Sequence, residues 1–217
     1  MLHWETVSEP LKSTLRTLMA APVLNQHRLV GGTALSLLLG HRKSVDIDLF
    51  TDAAYRSIDY YAIENYLKTA FPYVSGDIGT DPAFGKSYLV GDNINQFVRL
   101  DVYYSSEPFF NSLIVEEGIR IASLEDITAM KIDVVQRGGR KKDFWDLHEL
   151  TGQCNIAKMI ALHAQGFPWT HDESAIIENF TDFSVADKDF DPICLRGKQW
   201  PFIKEDFEYL MKAFSKG

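Results

Sequence analysis

The residues with the clearest chemical promise are two acids spaced two apart in the run Val45-Asp46-Ile47-Asp48-Leu49-Phe50. Apolar and acidic side chains alternate there with the period of a β-strand. Asp46 and Asp48 therefore project from one face, while Val45, Ile47 and Leu49 turn to the core. Carboxylates held that close repel unless a cation neutralises them, and hard oxygen donors suit Mg²⁺. In Arg99-Leu100-Asp101-Val102-Tyr103-Tyr104, Asp101 stands opposite the face formed by Leu100, Val102 and Tyr104. A third carboxylate on a neighbouring strand would complete a two-metal site, the kind that clamps attacking and leaving oxygens in phosphoryl chemistry. Upstream, Gly31-Gly32-Thr33 opens a short apolar helix. Glycine lets the backbone approach a ligand, and free N–H groups at a helix start bind phosphate. Taken singly, each strand is better explained as an edge strand with a solvated polar face.

The elements needed to position these groups are legible around them. Ser8, Pro10, Leu11, Leu15 and Leu18 predict a capped amphipathic helix, and His27 to Val30 a short strand ending at the glycine pair. Ser57 to Lys68 has helical spacing. Ser87 to Val90 and Phe97 to Tyr104 are strand-like, with a hairpin turn expected at Gly91-Asp92-Asn93, and Gly118 to Ile121 is a further short strand. From Ser123 the character changes. Ser123 with Asp126 has the spacing of a capping box, followed by Ile127, Met130 and Val134 on one helical face. Gly138-Gly139 ends that helix, and Asp143 to Leu150 begins another. The expected architecture is α+β: a mixed αβ half over residues 1–121, then a mostly helical half over 122–217.

The 217 residues carry 46% hydrophobic and 24% charged residues, values of a folded chain with a real core rather than a disordered one. No apolar run approaches the ~20 residues of a membrane helix, and the first residues lack a secretory pattern. With Cys154 and Cys194 forming neither framework nor metal spacing, a cytoplasmic location and no membrane partner are expected. The formal charge of −8 argues against avid nucleic-acid binding. Its distribution says more. Lys131 to Asp143 carries a net +3, whereas Asp172 to Asp191 carries −6. A short basic strip in an acidic chain is a place to hold phosphate, or a solvated helix end.

Two blocks together resemble a known family. Gly31-Gly32-Thr33-Ala34-Leu35 with Arg42-x-Ser44-x-Asp46-x-Asp48-Leu49-Phe50 forms the first. Ser123-Leu124-Glu125-Asp126, Ala129-Met130-Lys131, Arg137-Gly138 and Lys142-Asp143-Phe144-x-Asp146-Leu147 form the second. Both are similar to the AbiEii/MenT nucleotidyltransferase toxins, within the DNA polymerase β-like nucleotidyltransferase superfamily. The likeness runs over nearly the whole chain, weakly in its tail. It implies a polymerase β-like core whose cleft the helical half completes. Asp46 and Asp48 match the metal-binding pair, and Asp101 aligns by strand order with the third carboxylate. Gly31, Gly32 and Thr33 match the triphosphate-holding turn, Lys131 the motif lysine and Asp143 the acid after it. Arg42, Ser44 and Arg137 match recurrent positions read as phosphate contacts. The superfamily's common Gly-Ser dipeptide is absent here, with Thr33 supplying a nearby hydroxyl.

The resemblance further implies Mg²⁺ (or Mn²⁺), an NTP substrate and a hydroxyl acceptor. In such toxins the acceptor is RNA, notably the tRNA 3′ end, and a separately encoded antitoxin opposes the enzyme in a toxin–antitoxin or phage-defence system. Asp101 or Asp143 would take the acceptor's proton. Residue chemistry leaves plainer roles open: Lys131 can snorkel along its helix, and Asp143 can cap the next one. A catalytically silent nucleotide-binding module, or transfer to a small molecule or a protein, are the competing functions. A P-loop at Gly79 to Ser87 fails on spacing and on the strand-like residues after it, and a calcium loop at Asp187 fails because Pro192 and Lys198 stand where Gly and Glu are needed.

Overall fold

The computed structural model describes residues 1–80, 82 and 84–215. Helix α1 (Glu9–Met19) starts where Ser8 Oγ accepts the Leu11 N–H at 3.3 Å, and buries Leu11, Leu15 and Leu18. Strand β1 (Arg28–Leu29) leads into α2 (Gly31–Leu39), which ends on a left-handed Gly40. Strand β2 (Asp46–Thr51) alternates in burial along its length, and α3 (Tyr60–Ala70) follows. Strands β3 (Tyr73–Gly76), β4 (Gly85–Asn93), β5 (Gln96–Tyr104), β6 (Ile114–Glu116) and β7 (Ile119–Ile121) complete a mixed sheet, ordered β3-β4-β5-β2-β1-β7-β6.

After β7 the described chain is helical: α4 (Leu124–Gln136), α5 (Lys141–Leu150), α6 (Ile156–Gly166), α7 (Glu173–Asn179) and α8 (Trp200–Phe214). One hydrophobic core runs through both parts, from Leu15 and Leu49 to Ile127, Phe144 and Phe207. No described helix is long and apolar enough to cross a membrane.

Several local expectations shift. The β4–β5 hairpin turns at Ile94-Asn95, not at Gly91-Asp92-Asn93. Gly91 and Asn93 pair within the ladder around a register shift, and the Asn95 N–H donates to Asn93 Oδ1 at 2.9 Å. The Asn side chain makes the turn that glycine seemed to mark. Helix α3 begins at Tyr60 because Asp59 Oδ1 accepts the Ala62 N–H at 2.9 Å. Val45 precedes β2 and is 72% exposed, so only Ile47 and Leu49 of that run reach the core.

Under α1, the Arg120 guanidinium donates to the carbonyls of Met19, Leu24 and His27 at 2.8–3.0 Å. Beside it, His27 is 4% exposed and neither ring nitrogen has a hydrogen-bond partner among the described residues. Burial, then the Arg120 charge, pushes its imidazole down to about 4 from an ordinary 6.5. The unfolded chain therefore binds a proton between those values that the fold refuses. The His27 contribution to stability is full above about pH 6.5 and should fall by about 3 kcal/mol as pH drops to 4. The difference in unfolding free energy between wild type and His27→Leu, from urea titrations at pH 7 and pH 4, should shift by about 3 kcal/mol between the two pH values; a difference that does not change with pH would contradict the assignment.

Candidate active site

Strands β2 and β5 run parallel with Asp48 opposite Asp101 and Asp46 opposite Arg99, so all three carboxylates share one face of the sheet. They form one wall of a cleft of about 500 Å³, with Gly31 and Gly32 beside them and Met130, Lys131, Arg137, Arg140, Lys142 and Asp143 opposite. The start of α2 is fixed against Asp48. The Val30 N–H donates to the Asp48 carbonyl at 2.9 Å, and Gly31 is left-handed, with φ +70°. A Cβ on Gly31 would come within 2.6 Å of Asp48 Oδ2, so glycine is required on both grounds. The first turn of α2 has no side-chain cap, which leaves its N–H groups for an anion in the cleft.

Burial, then Asp101, then Asp46 raises the Asp48 carboxyl to about 6, against an ordinary 3.8. That charge stress is what a bound divalent cation would relieve, and the donors are hard oxygens. Asp101 is meanwhile held by Arg99 at 3.2 Å. Among the described residues no three acidic, histidine or cysteine side chains already converge at ligand distance. The fit to a metal is therefore one of donor chemistry and charge.

Behind the cleft lies a buried charge network centred on Asp146, which is 0% exposed. Arg42 donates to it from Nε at 2.6 Å and Nη2 at 2.8 Å, His41 Nε2 lies at 2.7 Å, and Lys131 Nζ at 2.7 Å. Burial alone would raise this carboxyl. Lys131, Arg42 and the hydrogen bonds from His41 and Arg42 more than offset it and hold the group well below the carboxylate range. Lys131 Nζ also meets Asp143 Oδ1 at 2.7 Å, and Asp143 Oδ2 accepts the Arg140 backbone N–H at 3.1 Å, capping α5. Burial and the nearby Asp146 push the Asp143 carboxyl up, but Lys131 and then Arg140 more than offset them and keep it low.

The residues singled out in the sequence thus separate into two groups. Gly31, Gly32, Asp46, Asp48, Asp101, Lys131, Arg137 and Asp143 line the cleft. Thr33, Ser44 and Arg42 support it from behind. Buried Thr33 donates to the Asp46 carbonyl and sits 2.8 Å from Ser44 Oγ, while Arg42 packs so close to Gly32 that a Cβ there would strike its guanidinium. The basic strip is also less free than its count suggests. Lys141 Nζ is held by the Asp189 carbonyl at 2.6 Å and Asp191 Oδ1 at 2.9 Å, and Arg137 by Asp133 at 2.6 Å.

Lys142 faces the cleft with no ion-pair partner among the described residues. Burial, then Arg140 and Lys131, pushes its ammonium pKa down. Lys142 and Asp146 stand in the second sequence block, which assigns neither of them a role. Beyond that block, the signal is Asp143 and Asp146 at i and i+3, one turn apart on a helix.

A glycine-led helix start and strand-borne carboxylates thus face a lysine-bearing helical wall across one cleft. The nucleotidyl transferase AbiEii toxin family, of the Type IV toxin–antitoxin system, matches residues 13–215. The chain belongs to that family. The uncharacterized protein aq_aa25 of Aquifex aeolicus (strain VF5) is 29% identical over 140 residues, and the match spans 63% of this chain and 63% of that protein, under two thirds of its length. JHP933 from Helicobacter pylori is similar in structure, with a TM-score of 0.60 at 22% identity, covering 96% of this chain and 90% of that one. MenT4, a nucleotidyltransferase toxin from Mycobacterium tuberculosis H37Rv, gives a TM-score of 0.55 at 13% identity, covering 93% and 82%. At these identities the structural likeness is one of fold.

Two substitutions test the electrostatics. Asp146→Ala leaves the Arg42 guanidinium buried without a carboxylate and Lys131 with Asp143 alone, and should cost about 3–5 kcal/mol of unfolding free energy by urea titration; a loss under about 1 kcal/mol would contradict the network. For Asp48 the sign is reversed. Its raised pKa means that the charged form above pH 6 works against folding. Asp48→Asn should therefore raise stability at pH 7 in metal-free buffer by roughly 2 kcal/mol, read by calorimetry, whereas a lower melting temperature would refute the raised pKa.

Proposed function

We propose that the chain transfers a nucleoside monophosphate from an NTP to the 3′-hydroxyl of an RNA, with the tRNA 3′ end as acceptor and pyrophosphate as leaving group. Asp46, Asp48 and Asp101 would hold Mg²⁺ (or Mn²⁺), which when bound supplies Lewis acidity and neutralises phosphate charge. The residues of the chain do the rest. The N–H groups of Gly31 and Gly32 and the unpaired ammonium of Lys142 hold the triphosphate, with Arg137 and Arg140 at the cleft wall. The acceptor oxygen attacks the α-phosphorus in line, and the bond from that phosphorus to the pyrophosphate oxygen breaks.

Asp143 is committed to Lys131 and to the α5 N-terminus, which favours Asp101 as the group that takes the acceptor's proton. Lys131 positions Asp143 and Asp146 and adds positive charge behind the phosphates. In this reading the sheet half, residues 1–121, carries the metal and the phosphate turn, and the helical half, 122–217, closes the cleft. The single observation that carries it is Asp48 paired in register with Asp101, with Asp46 on the same face, against the glycine start of α2. Family membership supports a separately encoded antitoxin as partner and action in the cytoplasm.

The test is an incubation with Mg²⁺, each α-labelled NTP in turn, and total RNA, tRNA or cell protein as acceptor. Wild type should label RNA and release pyrophosphate one for one. Asp46→Ala/Asp48→Ala should lose at least about a hundredfold in rate. Equal labelling by both proteins, or by neither with any acceptor, would overturn the proposal, and label on protein would replace RNA as the acceptor.

A further inference from the structure

A second cavity adjoins the cleft. It encloses about 260 Å³ and is lined by Tyr55, Arg56, Tyr60, Phe84 and Tyr104 among others. Tyr104, the last residue of β5, lines both spaces, so the two meet at the end of that strand. Tyr104 lies three residues beyond Asp101, about 10 Å along the same strand, and its side chain turns to the other face of the sheet, so the cavity is reached from the carboxylates around the end of the strand. A single strand covers that span in a few nucleotides.

The lining has a specific chemistry. The Tyr55 ring lies 5.5 Å from the Tyr104 ring and 6.3 Å from that of Phe84, centroid to centroid. Backbone pairing fixes two of these rings relative to each other, since the Tyr104 N–H donates to the Phe84 carbonyl at 2.7 Å. Yet Tyr55 is 52% exposed and Phe84 56% exposed, so these aromatic faces meet solvent instead of core. Arg56 adopts a left-handed backbone, φ +64°, an uncommon conformation for a residue with a side chain, and its guanidinium stands 5.5 Å from the Tyr55 ring.

From this arrangement we infer that the cavity is an acceptor subsite that takes one unstacked base of a single-stranded RNA, with Arg56 on the adjoining phosphate. Aromatic rings offering π-faces beside an arginine are what unpaired nucleotides bind. Size agrees: pockets for whole drug-sized ligands run to about 300–1,000 Å³, and this one is smaller, suiting a single ring system. The main cleft falls within that range and is left to the triphosphate. The inference rests on the RNA-transfer reading above and adds to it where the acceptor strand is gripped. Stacking is sequence-tolerant, so the subsite confers preference for a single-stranded end over a base-paired one.

The test uses the full chain, a fluorescein-labelled single-stranded RNA oligonucleotide read by anisotropy, and Mg²⁺-dependent NTP binding read by calorimetry. Tyr55→Ala/Phe84→Ala changes two exposed side chains. It should weaken oligonucleotide binding about tenfold or more while leaving NTP binding unchanged. Tyr55→Trp/Phe84→Tyr, which keeps the rings, should bind RNA like wild type. An alanine variant with wild-type RNA affinity would overturn the subsite, as would a ring-keeping variant as weak as the alanine one. If wild type still labels RNA in the transfer assay, that failure is the subsite's alone. If wild type labels no RNA, the transfer reading falls and takes the subsite with it. Label on protein that the alanine variant reduces would mean a peptide occupies the cavity, which also overturns the proposal.

Discussion

Asp146 has no contact with solvent and its carboxylate accepts from Arg42, His41 and Lys131 at once. A charge in that position is tolerable only if every partner stays in place, because an unpaired buried ion costs several kcal/mol. The partners come from distant parts of the chain: Arg42 and His41 from the loop after α2, Lys131 from α4, and Asp146 itself from α5. Satisfying one carboxylate therefore fixes three segments relative to one another. Arg42 in turn backs Gly32, so the phosphate-facing turn inherits its position from the same network.

On the open side of that network the electrostatics run the other way. Asp46, Asp48 and Asp101 are held on one face with less compensation than they need, as the raised Asp48 carboxyl records. Proteins accept such local stress at sites where a ligand later supplies the missing charge. The structure thus pairs a fully satisfied cluster that holds shape with an unsatisfied one that invites a cation. The net charge of −8 reflects both, and the basic strip that offsets it locally is largely consumed by internal ion pairs. Lys142 is the ammonium of that strip left facing the cleft without an ion-pair partner among the described residues.

Much of the fold was legible because local rules governed it. Period-two burial marked β2 and β5, and Ser8 and Ser123 marked helix starts through their caps. The resemblance to AbiEii/MenT toxins was carried by residues at both ends of the cleft, and the family match agrees with it. What stayed hidden depends on contacts between segments far apart in sequence. That Arg42 and Thr33 turn inward rather than toward phosphate follows from Asp146 and the Asp46 carbonyl. No periodicity encodes such pairings. The Asn93 side chain likewise moved the β4–β5 turn, since an Asx turn competes well with a nearby glycine.

The central claim is that the Arg42–Asp146 contact is the joint on which the cleft's geometry depends. A double-mutant cycle in urea with Arg42→Met, Asp146→Leu and the double variant measures that joint directly. Arg42→Met takes the two-pronged donor from Asp146, which keeps Lys131 and His41, and Asp146→Leu leaves the Arg42 guanidinium buried without a carboxylate, so each should be costly; the double variant should recover stability, giving a coupling of at least about 2 kcal/mol. Additive losses, with coupling below about 0.5 kcal/mol, would contradict the account.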